Sequence, residues 1–126
     1  MKIAYLSLTG NVRDFVEKTG LSSIEINYNG PYEEVGEPFV VIVPSYDEMI
    51  TEKVSLFVQF GSNEQNLLGF IGSGNLNFDH DYCFNAKDLA KNFQKPLLYT
   101  FEFSGTPNDV YQFKEALNQY AGAGIK

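Results

Sequence analysis

The sequence predicts an α/β domain: a doubly wound, five-stranded parallel sheet with helices on both faces. Three observations point there. Apolar runs alternate with helix-spaced apolar stripes along the chain. The central run, Phe39-Val40-Val41-Ile42-Val43, is continuous and rich in β-branched residues, as a strand covered on both faces requires. Strand–helix alternation of this kind builds a parallel sheet, because each crossover returns the chain to the same edge. The 126 residues are read as a single domain, 1–126, since no repeat, low-complexity tract or linker interrupts them. At this length ~65–70% of the unfolded chain's surface is removed on folding, so a sizeable core is available.

The elements follow in order. Ile3 to Leu6 is a short apolar run that ends in a glycine-containing loop, a first strand. Val12, Phe15 and Val16 lie at i, i+3 and i+4, one face of a helix that Gly20 stops. Ile24 and Ile26 alternate with polar residues, a strand with one wet face, and Asn29-Gly30-Pro31 is a turn. Phe39 to Val43 is the third strand, ended by Pro44. Val54, Phe57 and Val58 mark a helix closing near Gly61. Leu67 to Ile71 is the fourth strand, ended by Gly72-Ser73-Gly74-Asn75. Ala86, Leu89, Ala90 and Phe93 make a helical stripe, and Leu97 to Phe103 is the last strand. Thr106-Pro107-Asn108-Asp109 opens the final helix, with Thr as N-cap, Pro at the first helical position and an acid in the first turn. Val110, Phe113, Leu117 and Tyr120 are its expected buried stripe. Five strands in this length fit the flavodoxin-like order 2-1-3-4-5. Ligands of such sheets bind outside the carboxyl ends of the strands at the topological switch point, so the loops after strands one, three and four matter most.

Composition narrows the partners. A net charge of −7 argues against nucleic acid, whose phosphates need a Lys/Arg surface, and against anionic membranes. The single cysteine, Cys83, cannot form an internal disulfide, and the single histidine, His80, cannot supply a metal cluster. No apolar run reaches the ~18 residues of a membrane span, and the N-terminal run is too short for a signal peptide, so a cytoplasmic location is expected.

The first loop, Ser7-Leu8-Thr9-Gly10-Asn11, joins a strand to a helix. Hydroxyls, an amide and a glycine at a helix N-terminus make an anion cradle. The lysine of a P-loop is missing, which suits a monophosphate held by neutral donors. The ordinary alternative is a polar turn with Thr9 or Asn11 as a cap. The third loop, Gly72-Ser73-Gly74-Asn75-Leu76-Asn77-Phe78, carries two glycines that let backbone approach a ligand. Asn75 and Asn77 both donate and accept, as the pyrimidine edge of a flavin demands, and Phe78 suits the covering of a ring face. Alone it is equally a Gly/Asn-rich connector. The second loop, Pro44-Ser45-Tyr46-Asp47, offers Tyr46 either as a stacking ring or as a surface tyrosine in a turn.

Three stretches now carry a resemblance. Ser7-Leu8-Thr9-Gly10-Asn11-Val12-Arg13 resembles the phosphate loop of the NrdI family. Gly72 to Phe78, followed by Tyr82-Cys83, is similar to that family's Gly-Ser-Gly-Asn-Arg-Asn-Phe signature. Pro96-Leu97-Leu98-Tyr99, Phe101 to Thr106 and Asp109-Val110 resemble its C-terminal stretch. The match spans nearly the whole chain. It implies a flavodoxin-like fold, FMN as cofactor, and delivery of an oxidant to the small, radical-bearing subunit of class Ib ribonucleotide reductase, where a dimanganese-tyrosyl radical cofactor is assembled. It also implies a flavin reductant of unknown identity. Val12, Tyr82 and Cys83 join the expected cofactor-binding residues through it, beside Ser7, Thr9, Gly10 and Asn11, Pro44, Ser45 and Tyr46, and Ser73, Gly74, Asn75, Asn77 and Phe78. The chain departs from the family where Pro44-Ser45-Tyr46-Asp47-Glu48 replaces Pro-Thr-Tyr and glycines, where Leu76 replaces the signature arginine, and where Asp79 replaces a glycine.

Some residues invite more chemistry than they carry. Cys83 opens a helix without a second cysteine, so a packing role is expected. His80 is read as a solvated loop residue, Glu102 as an acceptor for backbone donors in the Gly105 turn, and Glu33, Glu34 and Glu37 as a solvated acidic loop. No catalytic residue and no metal ligand is expected. Three functions stay open at this point: an oxidant-supplying accessory flavoprotein, an electron-transfer flavodoxin for another redox partner, and a flavin-free interaction module on the same scaffold. A phosphoacceptor receiver is a poor version of the third, because Ser7-Leu8-Thr9 and Phe101-Glu102 stand where an acidic pair and a lysine belong.

Overall fold

A computed structural model describes residues 1–77, 81–122 and 124. The parallel sheet comprises β1 (Lys2–Tyr5), β2 (Ser23–Glu25), β3 (Phe39–Val43), β4 (Leu67–Gly74) and β5 (Leu97–Glu102), in the order β2-β1-β3-β4-β5. The helices are α1 (Asn11–Thr19), α2 (Glu48–Val58), a single turn α3 (Asn63–Asn66), α4 (Phe84–Phe93) and α5 (Pro107–Ala121). The predicted doubly wound sheet is the one observed. The strand ranges differ at their ends. β2 is three residues long, with Ile26 just past it, yet the Ile26 N–H still donates to the Tyr5 carbonyl at 2.7 Å.

The alternation along β3 splits the core in two. Phe39, Val41 and Val43 face α2 and α4, joining Val54, Phe57, Ala86 and Leu89. Val40 and Ile42 face α1 and α5, joining Val12, Phe15, Phe113 and Leu117. All five β3 side chains are buried, which is why that strand carries no polar residue. On the second face Phe15 stacks on Phe101 with ring centroids 3.9 Å apart and meets Phe113 edge-on at 5.4 Å, so one ring ties α1, β5 and α5 together. Gly105, at φ 72°, lies against that ring: a Cβ there would come within 2.6 Å of Phe15 Cδ1.

The helix ends follow their side chains. Gly20 closes α1 in the left-handed region, φ 68°. Thr106 and Asp109 form a reciprocal capping box at α5, with Pro107 in the first turn. One expected core residue is corrected. Tyr120 keeps the stripe spacing but is 70% exposed, because Leu117 is the last α5 side chain that reaches the sheet. No helix among the described residues is long and apolar enough to cross a membrane.

Candidate functional site

A cleft of about 340 Å³ opens at the carboxyl ends of β1, β3 and β4. It is walled by Leu8, Thr9, Asn11 and Val12 from the first loop, Pro44, Ser45 and Tyr46 from the second, Ser73, Gly74 and Asn75 from the third, and Phe103 from the end of β5. Its size lies within the range of small-molecule sites. Every side chain of the wall among the described residues is uncharged.

The first loop is built to hold a helix terminus open. Gly10 is the N-cap of α1 at φ 95°, a conformation L side chains rarely adopt, and it brings no capping side chain. Space adjoins it, since a Cβ built there meets nothing within 4 Å. Ser7 Oγ accepts from the Arg13 N–H at 3.3 Å, so this hydroxyl turns toward the helix. Asn11 Oδ1 accepts from Ser104 Oγ at 2.9 Å, linking the loop to the β5–α5 connection. Arg13 itself pairs with Glu25 at 2.7 Å. Anion binding here falls to backbone N–H groups, neutral side chains and the helix dipole.

The second loop is held from behind by a residue that no sequence pattern singles out. Asn85 of α4 is fully buried. Its Oδ1 accepts from the Tyr46 N–H at 3.1 Å, while its Nδ2 donates to the Asp47 carbonyl at 2.7 Å and to Thr51 Oγ1 at 3.0 Å. Asp47 turns to α2, accepting from the Met49 N–H as N-cap. Tyr46 is thereby fixed at the cleft mouth, 49% exposed. Its hydroxyl donates to Thr9 Oγ1 at 2.9 Å, joining the first two loops. Ser45 Oγ is buried and, among the described residues, has no hydrogen-bond partner. Such a group costs about 1–3 kcal/mol until something satisfies it, so this wall fits a polar ligand.

The third loop divides. Ser73 Oγ donates to the Phe103 carbonyl at 2.8 Å, and the Phe103 N–H donates to the Gly74 carbonyl at 3.1 Å. Those two bonds hold Phe103 at φ 54°, with its ring half-exposed at the cleft. Strand order then sets Tyr46, after β3, and Phe103, after β5, on either side of β4. Neither Leu8 nor Phe103 was foreseen at the site. A lone apolar residue in a polar strand-end loop, and a phenylalanine closing β5, were the available signals. Asn77 donates its N–H to Asn75 Oδ1 at 2.9 Å, a local turn, and lies outside the cleft wall. Phe78, with Asp79 and His80, lies outside the described residues.

Gly72 and Glu102 play other parts than expected, while Cys83 packs as expected. Gly72 serves helix packing and not ligand approach: a Cβ there would lie 2.8 Å from Cys83 Cβ and 2.9 Å from Ala86 Cβ. Cys83 is fully buried at φ 58° as the N-cap of α4, behind β4 and off the cleft wall. Glu102 accepts from the Leu76 N–H at 3.2 Å and so braces the third loop; in the Gly105 turn only its backbone carbonyl accepts. Tyr82 faces a second, shallower groove with Thr100, Glu102 and Asp109. Burial first, then the neighbouring Cys83, pushes its phenol well above the ordinary range, so it stays protonated.

Known proteins resemble this chain along its length. Residues 3–115 match the family described as NrdI Flavodoxin like. Protein NrdI of Bartonella tribocorum is 35% identical, covering 94% of this chain and 93% of its own. A putative NrdI-like protein of Streptococcus pyogenes serotype M3 is 33% identical over 91% of this chain and 86% of its own. A flavodoxin of Streptococcus pneumonia TIGR4 superimposes with TM-score 0.63 at 18% identity, covering 96% of this chain and 97% of its own. Megasphaera elsdenii flavodoxin does so at 0.54 and 14%, covering 94% and 98%. These structural likenesses show a shared fold. The sequence matches show more: the chain belongs to the NrdI flavodoxin-like family.

Proposed function

We propose that the chain binds FMN in this cleft and serves class Ib ribonucleotide reductase as an accessory flavoprotein, supplying oxidant for the dimanganese-tyrosyl radical cofactor of the small subunit. The observation that carries the reading is the buried, unpartnered Ser45 hydroxyl in an uncharged cleft at the switch point of a flavodoxin-like sheet. Family membership implies a flavin. When bound, FMN supplies the redox chemistry, including the reaction of reduced flavin with oxygen.

The protein's part is to bind, orient and limit access. The backbone N–H groups at the start of α1, with Thr9 and Asn11, take the phosphate. Ser45 and Asn75 offer polar contacts deeper in the cleft. Tyr46 and Phe103 offer ring faces. No lysine competes for the phosphate, which favours a monophosphate over a triphosphate carried with magnesium. Purified protein titrated with FMN should quench flavin fluorescence to a one-to-one end point. The reduced complex, oxygen and the manganese-loaded reductase small subunit together should yield a tyrosyl radical by electron paramagnetic resonance. Radical yield independent of the chain would remove the oxidant-delivery role.

A second reading is an electron-transfer flavodoxin, favoured by the exposed acid Asp47 next to Tyr46 at the cleft and by the net charge of −7. It predicts that the reduced complex reacts only slowly with oxygen, which stopped-flow absorbance measures directly.

A further inference from the structure

We infer that Tyr46 acts through its hydroxyl as a positioning residue that orients Thr9 toward the phosphate of the ligand, and so sets the preference for a flavin phosphate ester over the phosphate-free flavin. The inference rests on the FMN reading above and assigns the selectivity of that site.

The observation is one hydrogen bond between two loops. Tyr46 Oη donates to Thr9 Oγ1 at 2.9 Å, across 37 residues of chain, and both side chains stand at the cleft. A hydroxyl has one proton to give and two lone pairs to receive with. Thr9 that accepts from Tyr46 keeps its own proton for another acceptor. The direction of the chain is fixed by chemistry. A phosphate ester near neutral pH is an acceptor and has little or nothing to donate. A phenol is a better hydrogen-bond donor than an aliphatic alcohol, because its ring draws electron density from the oxygen. The stable order is therefore tyrosine to threonine to phosphate. Each bond of such a chain polarises the next.

The rest of the site makes this relay matter. Among the described residues the cleft wall carries no cationic side chain, and Arg13, at the start of α1, is committed to Glu25 at 2.7 Å. Ser7 Oγ is already engaged by the Arg13 N–H, and Asn11 Oδ1 by Ser104. Ser7, an acceptor too, also keeps its proton, but Thr9 is the first-loop hydroxyl that both keeps a proton to donate and lines the cleft. Tyr46 can hold that arrangement because its own backbone is anchored by the buried Asn85. Tyr46 thus joins the phosphate end of the cleft through its oxygen, whatever its ring does along the rest of the ligand.

The test is a double-mutant cycle read with two ligands. Tyr46→Phe keeps the ring and removes the donor; Thr9→Ala removes the relay. FMN and riboflavin are titrated against wild type, each single variant and the double variant by fluorescence quenching. Circular dichroism confirms the fold of these exposed substitutions. The expected result is that Tyr46→Phe weakens FMN roughly 3- to 10-fold, the worth of one hydrogen bond, and leaves riboflavin unchanged. In the Thr9→Ala background the same change should cost nothing further. The inference is overturned if Tyr46→Phe weakens FMN and riboflavin equally, which would make the hydroxyl a loop anchor, or if its cost persists without Thr9. The FMN cycle decides alone should riboflavin bind too weakly to follow. Wild type that binds no flavin at all would instead overturn the functional reading, and the inference with it.

Discussion

Asn85 shows how a single buried amide positions a ligand loop. Its three hydrogen bonds satisfy the Tyr46 N–H, the Asp47 carbonyl and Thr51 Oγ1, all behind the second loop. Replacing it with leucine keeps the branched shape but leaves two backbone groups unpaired at ~1–3 kcal/mol each. Asn85→Leu should therefore lower the unfolding free energy by about 2–4 kcal/mol and weaken FMN binding as well. Chemical denaturation with and without FMN measures both, and an unchanged midpoint would show that water or backbone replaces the amide. Tyr99 and Asp109 form a second residue-scale device. The Tyr99 hydroxyl donates to Asp109 Oδ1 at 2.6 Å, while Asp109 also accepts from the Thr106 N–H at the start of α5. Burial, then this hydrogen bond and the carboxylate charge, pushes the phenol up to about 12. Burial alone would raise Asp109, but the hydrogen bonds from Tyr99 and Thr106 and the charge of Lys18 outweigh it and hold the carboxyl below its usual range. A phenol with a raised folded pKa contributes stability that is complete below pH ~10 and lost as pH climbs toward 12. A carboxyl with a lowered folded pKa contributes stability present above pH ~4 and lost as pH falls further. Tyr99→Phe should thus flatten the stability curve at both ends relative to wild type. Urea midpoints that run parallel from pH 3 to pH 11 (roughly the accessible window) would contradict it.

Between β4 and α4 the site depends on how closely two elements approach. Gly72 lets Cys83 and Ala86 pack onto the strand, and β4 then presents Ser73, Gly74 and Asn75 to the cleft. Gly72→Ala adds a methyl that would lie 2.8 and 2.9 Å from the Cβ atoms of Cys83 and Ala86, so it should destabilise by about 1–3 kcal/mol. A thermal melt checks this, and an unchanged midpoint would mean that α4 shifts without cost. Sequence periodicity had placed both of these elements, because a continuous apolar β4 and the Ala86, Leu89, Ala90, Phe93 stripe follow from strand and helix geometry. What periodicity does not carry is which neighbour a residue meets. Gly72 looked like a ligand glycine because both uses call for a missing Cβ. Asn85 and Asn63, each fully buried, drew no attention in the sequence because most of their partners are backbone groups of other segments. Asn63 takes the Val35 N–H and gives to the Glu33 and Phe57 carbonyls, anchoring the long connection before β3. Phe103 looked like the end of a strand; its positive φ depends on Ser73 and Gly74 in another strand. Local signals were read more directly. Gly20 and the Thr106–Asp109 cap act within one turn and ended and began their helices as the sequence indicated.

At the scale of the whole molecule, charge and ligand oppose each other. The chain carries a net charge of −7, and the cleft meets the proposed phosphate with neutral donors. The local attraction is short-ranged: backbone N–H groups and the α1 dipole act within one turn of the helix. The repulsion is long-ranged, because the carboxylates are spread over the surface and act through solvent. Salt screens the second far more than the first. The Debye length falls from about 30 Å at 0.01 M to about 8 Å at 0.15 M, a change that spans the dimensions of a domain this size. In water two unit charges about 15 Å apart repel by ~0.3 kcal/mol, so seven net charges against a phosphate dianion amount to a few kcal/mol before screening. FMN affinity should therefore rise with salt, by roughly three- to tenfold between about 0.01 M and 0.15 M. A site that grips phosphate with lysine or arginine would do the reverse. Riboflavin, which lacks the phosphate, should show little dependence in the same titrations. FMN affinity that falls steeply with salt would place a cation at the phosphate, and Arg13 or Lys18 would be the first to replace.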